Sequence, residues 1–506
     1  MNTPAANLTV GRCVRAHASD RGREVAFATA DGRLTWEEYD DAADRVAAAL
    51  LRAAVAPGDR VAVVMPDEPA VHVAFVGAER AGAVVVGIGY RAGDREVAHL
   101  VGKAGARMLV TSEGRREGLA AMLGIDGLVL PADLRSLAPG HAEASLCLGP
   151  EDLFLINSTS GTTGLPKCVM HTEARWFAFH RWAVDAGELT GDDVWLSALP
   201  TPFGFGLWTS HFTPAILGCP TALSDRFDAG RTLDLIARDR VTVLACVSTQ
   251  FIMLLNEQAE RPRDLDSLRC MFTGGEAVPY ERAAEFEQQF HASVLQFYGS
   301  NETGALSRTT ATDSRERRLR TAGRVIDEMQ VRLFDEDGTD ITGLGRPGIP
   351  ACRGPAVCLG YYDDEEANRL LFTPDGWMLM GDIVEIDGGG YLTVVGRTSD
   401  FIIRGGKNIS APAVEAEVGT HPGVAMVAVV AMPDAVFGER VCAYVEVKPG
   451  WEDLSLADVT YHLAARGVTK EWFPELLVVV DSLPRSSGGK VAKGELREDV
   501  QKRVAR

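Results

Sequence analysis

Between residues 60 and 112 the chain alternates short apolar runs with longer stretches of helical periodicity, and this constrains its fold more than any other feature. RVAVVM (60–65), AVVVGIG (83–89) and ARMLVTS (106–112) read as strands covered on both faces, and AVHVAFVGAERAG (70–82) and REVAHLVGKAG as the helices between them. A helix joining two such strands makes them parallel, so the pattern predicts an α/β fold of mostly parallel sheet under helices. The rhythm returns at WLSALP (195–200), TVLACVS (242–248) and VLQFYG (294–299). After about residue 330 the turns DEDGTD and DGGGY mark shorter antiparallel hairpins. Beyond GRTSDF (396–401), the runs FIIRGG, APAVEAEVG, AMVAVVAM, CAYVEV and ELLVVV describe a compact α+β unit. The expected organisation is a large N-terminal domain of layered sheets, residues 1–398, and a small C-terminal domain, residues 399–506. The closing KGELREDVQKRVAR reads as a solvated amphipathic helix.

The formal charge of −19 repels phosphate backbones and anionic lipid heads, so neither nucleic acid nor a membrane is the expected partner. No apolar run reaches the roughly 20 residues of a membrane span. The nine cysteines form no disulfide framework, and nothing around the nearest pair, Cys352 and Cys358, reads as a metal knuckle. With no basic-then-apolar leader at the N-terminus, the expected location is the reducing cytoplasm.

The segment STSGTTGLPK, Ser158 to Lys167, follows the apolar run LFLI. Glycines let a backbone curl until several N–H groups face one anion, hydroxyls add donors, and a closing lysine reaches a terminal phosphate. It is not a Walker A loop, because Pro166 stands where that pattern needs glycine.

This segment resembles the phosphate-binding loop of the ANL superfamily of adenylate-forming enzymes, which includes the acyl-CoA synthetases. Further stretches resemble that family in the same order along essentially the whole chain. The resemblance implies that Thr159, Ser160, Gly161, Thr162, Thr163 and Gly164 cradle phosphates together with Lys167. It implies that Gly274, Gly275 and Glu276 run along the adenine, that Tyr298 stacks on it beside Gly299, and that Glu302 helps hold Mg²⁺. Asn301 stands where the family usually has Thr, and its amide is expected to donate to a phosphate oxygen. By the same resemblance Asp382 takes the ribose hydroxyls and Arg397 the ribose or phosphate. Lys490, in LPRSSGGK, steadies the carboxylate and α-phosphate. The small domain rotates about a hinge at Ser399, where the family has Asp or Lys, and Gly405 and Gly406 line a thiol channel.

The implied reaction joins a carboxylate to the α-phosphate of ATP, releases pyrophosphate, and passes the acyl group from AMP to the thiol of coenzyme A. The alternative acceptor is a carrier protein or partner enzyme. No protein nucleophile is needed, so Cys168 reads as core. LPTPFGFGLW resembles the family's acid-pocket segment. Phe203, Phe205 and Trp208 read as an apolar wall, Gly204 and Gly206 as room beside it, with Gly299 completing the pocket. That suits a bulky hydrophobic acid (alicyclic, terpenoid or aryl) and a role in natural-product biosynthesis. A rival pattern, GIGYRA at 87–92, fits a loose dinucleotide-binding motif without its acidic partner.

Overall fold

The computed structural model describes residues 8–113, 116–140, 148–158, 166–397, 401–404, 407–434, 436–485 and 490–504. The apolar runs lie in two large sheets. The first has six strands in the spatial order Asp126–Leu130, Met108–Ser112, Arg60–Met65, Val84–Gly89, Leu153–Ser158, Cys168–Thr172. Its neighbours are parallel except for the final pair. The crossover helices sit where local chemistry places them. Pro69 opens Pro69–Arg80, acidic residues occupy the first turn of Asp94–Ala104, and Gly105 ends that helix at φ 60°.

The second sheet has nine strands. Its parallel centre runs Ser293–Tyr298, Cys270–Gly274, Val243–Ala245, Trp195–Ser197, Thr221–Ala222, Val25–Ala28, with antiparallel pairs at both edges. One hydrophobic core joins both sheets through Pro69–Arg80 and Glu173–Gly187, and Trp176, Trp195 and Trp208 lie wholly inside it.

After residue 330 the strands shorten and pair antiparallel, as the turns predict. Gln330–Phe334, Ile349–Arg353 and Met378–Leu379 form one small sheet, and Asp382–Ile386 with Leu392–Arg397 another. The C-terminal unit is built on a five-stranded sheet of Phe401–Arg404, Lys407–Ser410, Val424–Asp434, Gly438–Val447 and Leu476–Val479. The last helix, Lys493–Val504, is more than a solvated one. Leu496 and Val500 are buried against that sheet, and the Tyr444 hydroxyl donates to Asp499 at 2.8 Å.

Candidate functional site

Ligands of parallel sheets collect beyond the carboxyl ends of the strands, and three such ends carry the expected site. Cys270–Gly274 and Ser293–Tyr298 are parallel neighbours with Gly274 opposite Phe297. A Cβ at Gly274 would run into the Phe297 carbonyl oxygen, so only glycine lets these strands close. The next residue, Gly275, has φ +75°, in the left-handed region that favours glycine. The Lys490 ammonium donates to the Gly275 carbonyl at 2.7 Å, and a Cβ on Gly275 would lie 2.8 Å from that nitrogen. A lysine of the C-terminal unit therefore stands over the strand end expected to follow the adenine. Beside it, burial raises the Glu276 carboxyl while the Lys490 charge pulls it down.

The Tyr298 hydroxyl donates to Asp382 Oδ2 at 2.7 Å. Asp382 is 8 % exposed and pairs across its hairpin with Arg397, of which the backbone alone is described. Residues 299–304 form a tight turn, with the Glu302 and Thr303 amides donating to Ser300 Oγ and the Ser300 amide to Thr303 Oγ1. A Cβ at Gly299 would meet the Gly304 carbonyl, which makes this glycine a closure of the turn. Glu302 Oε1 accepts from the Tyr361 hydroxyl at 2.9 Å, and Lys167 Nζ sits 4.7 Å from the centre of the same ring. Burial and the Glu302 charge hold that phenol well above its usual range. Tyr361, which the sequence reading missed, thus links two expected site residues that lie 135 positions apart.

Among the described residues no three His, Cys, Asp or Glu side chains converge as a metal cluster. A single carboxylate, Glu302, suits a magnesium ion that completes its shell with substrate phosphates and water. Thr159 to Gly164, Ser399, Gly405 and Gly406 lie outside the described residues. Cys168 is core, as expected, and burial pushes its thiol up to about 11.

The acid loop differs from its sequence reading in three respects. Trp208 is 2 % exposed and packs among Phe179, Trp195, Phe205, Phe272 and Phe297, so it backs the wall from inside the core. At Gly206 a Cβ would strike the Pro200 carbonyl, so this glycine serves a tight backbone approach and leaves no room for a ligand. At Gly204 the space is already filled, with Asn301 Oδ1 2.9 Å and Trp176 3.1 Å from where a Cβ would stand. Phe203 and Phe205 remain half-buried at the loop surface. The glycines of GIGYRA have a packing role. Gly89 leaves space for the Phe203 ring and Gly87 for Pro202, within a central strand of the six-stranded sheet.

Behind this loop lies a buried polar group that no sequence pattern announced. Asn157 and Asn301 form a reciprocal amide pair, with Asn157 Nδ2 donating to Asn301 Oδ1 at 3.1 Å and Asn301 Nδ2 to Asn157 Oδ1 at 2.7 Å. Asn157 Nδ2 also donates to the Pro202 carbonyl at 2.9 Å. His171 Nε2 lies 2.6 Å from Asn157 Oδ1, and Arg175 contacts His171 Nδ1 and donates to the carbonyls of Asn301 and Glu302. One Asn301 amide hydrogen is therefore engaged with Asn157, and the other has no partner among the described residues. Burial lowers the Arg175 guanidinium to about 10, and burial with the Arg175 charge holds His171 well below its usual range.

Comparison with known proteins gives matches along most of the chain. Residues 14–362 match the family model of the AMP-binding enzymes, and residues 413–490 match the AMP-binding enzyme C-terminal domain. The chain is 30 % identical to a medium-chain fatty-acid–CoA ligase of Escherichia coli over 93 % of this chain and 86 % of that one. It is also 30 % identical to a 3-[(3aS,4S,7aS)-7a-methyl-1,5-dioxo-octahydro-1H-inden-4-yl]propanoyl:CoA ligase of Rhodococcus jostii, over 97 % of this chain and 98 % of the relative. The ATP-bound structure of MatB from Rhodopseudomonas palustris superposes with a TM-score of 0.86 at 28 % identity, covering 97 % of this chain and 99 % of that chain.

Proposed function

Because this chain belongs to the AMP-binding enzyme family and is an acid–thiol ligase using ATP and coenzyme A, we propose that it activates a bulky, uncharged hydrophobic acid and transfers it to coenzyme A. The observation that supports this reading best is the Lys490–Gly275 contact, a cation at the segment we assign to the nucleotide. In this reading a carboxylate attacks the α-phosphate of ATP, pyrophosphate leaves, and Lys490 offsets the negative charge that gathers in the transition state. Tyr298 gives the purine a flat face, and Asp382 exchanges the Tyr298 hydroxyl for those of the ribose. Lys167 and the segment Thr159–Gly164 hold the outer phosphates. Arg397 contacts ribose or phosphate. Glu302, oriented by Tyr361, would hold magnesium, which would supply positive charge against the phosphates.

For the acid itself, the support is the chemistry of the loop 199–208, which carries no charged side chain and presents Phe203 and Phe205. An alicyclic, terpenoid or aryl acid suits that surface, and a biosynthetic role suits such an acid. For the second half-reaction the division at 398/399, a hinge at Ser399 and a thiol path past Gly405 and Gly406 are the parts we assign.

The test is ATP–pyrophosphate exchange across a panel of acids, repeated with coenzyme A and mass analysis of the product. Exchange confined to bulky hydrophobic acids, with acyl-CoA formed, is the expected result. Exchange best with short or charged acids overturns the acid assignment. Exchange without acyl-CoA turns the acceptor into a carrier protein or partner enzyme.

A further inference from the structure

We propose that Asn157 is a positioning residue for the acid, holding the Asn301–Glu302 turn against the acid loop through a closed hydrogen-bonded ring of four residues. The inference rests on the acid-activating reading of the site. Its evidence is a set of hydrogen bonds whose directions are fixed by chemistry. Arginine only donates, so His171 Nδ1 must accept from Arg175. The imidazole proton then sits on Nε2 and donates to Asn157 Oδ1. The same oxygen accepts from Asn301 Nδ2, and Arg175 closes the ring by donating to the Asn301 carbonyl at 3.1 Å. Asn157 is 1 % exposed and uses both of its amide hydrogens, one on Asn301 Oδ1 and one on the Pro202 carbonyl.

A single buried carboxamide thus ties together three segments of different function. Its own strand, Leu153–Ser158, runs straight into the phosphate loop. Pro202 precedes Phe203 in the acid loop, and Asn301 precedes Glu302. The ring also gives a reason for asparagine at 301. Threonine has no amide with which to form a two-bond pair, and it could not reach the position beside Gly204 that the Asn301 oxygen fills. Asn301 retains one amide hydrogen with no partner among the described residues. We assign that donor to the carboxylate of the acid, which makes the pair the polar end of an otherwise apolar pocket. Arg175, 3 % exposed and bonded to neutral acceptors, adds a positive field behind that end.

The test uses the full-length enzyme and the acid that gives the fastest ATP–pyrophosphate exchange. Asn157→Ala, Asn301→Ala and the double variant are compared for the KM of acid and of ATP. Each single change is expected to raise the acid KM about tenfold, the effect of losing roughly one buried hydrogen bond, and to leave the ATP KM within about twofold. The double variant should be no worse than about twofold beyond either single, because one unit is removed once. A purely structural role lowers the amount of active enzyme without moving the acid KM, and that result, or multiplying effects, overturns the proposal. A second readout needs no activity. Nitrogen-15 spectra of histidine-labelled protein, assigned by the signal lost in His171→Gln, should show His171 protonated on Nε2. Protonation on Nδ1 would break the ring and the proposal with it. If the wild-type enzyme exchanges pyrophosphate with no acid, the functional reading fails, and the histidine tautomer still decides whether the ring exists.

Discussion

Segment 274–276, which we assign to the adenine, and loop 203–208, which we assign to the acid, both set glycines among larger residues, yet the structure uses those glycines in opposite ways. At Gly275 the missing side chain admits Lys490 from a distant part of the chain. At Gly206 it admits the chain's own Pro200 carbonyl, and at Gly204 it admits Asn301 and Trp176. One segment is open to the Lys490 ammonium, while the other is packed against its own backbone and neighbours and leaves Phe203 and Phe205 half-buried. A glycine therefore marks a close approach, and only the fold says whether the visitor is a catalytic group or the protein itself.

Four measurements break or sharpen that comparison. The largest effect belongs to Lys490→Ala, expected to lower acid-dependent pyrophosphate exchange by about 10²–10³-fold, as loss of a group that stabilises developing charge does. Its urea midpoint should match the wild type. Exchange within about threefold of wild type would mean that the Gly275 contact is incidental. Next comes the pair Gly206→Ala and Gly275→Ala. The first should destabilise by about 1–3 kcal/mol in urea unfolding, since backbone must shift, with the acid KM of the folded fraction intact. The second should cost about 1 kcal/mol in stability for its left-handed backbone, and should lose exchange about tenfold by displacing Lys490. A swap of those two outcomes would reverse the assignment of the segments.

A smaller effect is expected of Tyr361→Phe. Removing the hydroxyl from Glu302 should raise the KM for MgATP about fivefold and leave the acid KM alone, consistent with one lost hydrogen bond to a carboxylate. An effect on the acid instead would move Tyr361 to the other side of the site. The smallest separates the two regions by pH. His211, at the end of the acid-loop helix, is pushed by burial down to about 3, and it lies 3.2 Å from the equally buried His72. The unfolded chain binds protons at these imidazoles near pH 6.5 while the folded chain does not. Their contribution to stability is present above about pH 6.5 and is lost as pH falls toward 3. Urea midpoints should decline steadily below that pH. His211→Phe should flatten the decline by at most about 1.4 kcal/mol per pH unit, and an unchanged slope would remove His211 as a source.

Much of this was legible in sequence because it is local. Two-sided apolar runs and the turn residues after 330 express their preferences within a few positions, and those elements form as read. Tyr298, Asp382 and Lys490 were singled out by resemblance alone, and they meet partners across 84 and 215 positions, which no periodicity encodes. The ring around Asn157 was illegible for the same reason. Its one local trace is a carboxamide at the end of the apolar strand LFLI, and its partners lie 14 and 144 residues away. Trp208 was misread as pocket wall because burial against solvent and burial against ligand favour the same side chain.

The lysine reaching Gly275 across 215 positions also bears on how activity in this enzyme can be controlled. The segment assigned to the nucleotide lies in the larger unit, while the lysine that meets it comes from the smaller one. In the proposed reaction adenylation is a property of an encounter, and anything that parks the smaller unit elsewhere would silence it while the acid loop stays intact. Silencing of that kind would be invisible to a ligand-binding assay, and it would give the molecule an idle state with its substrates already aboard.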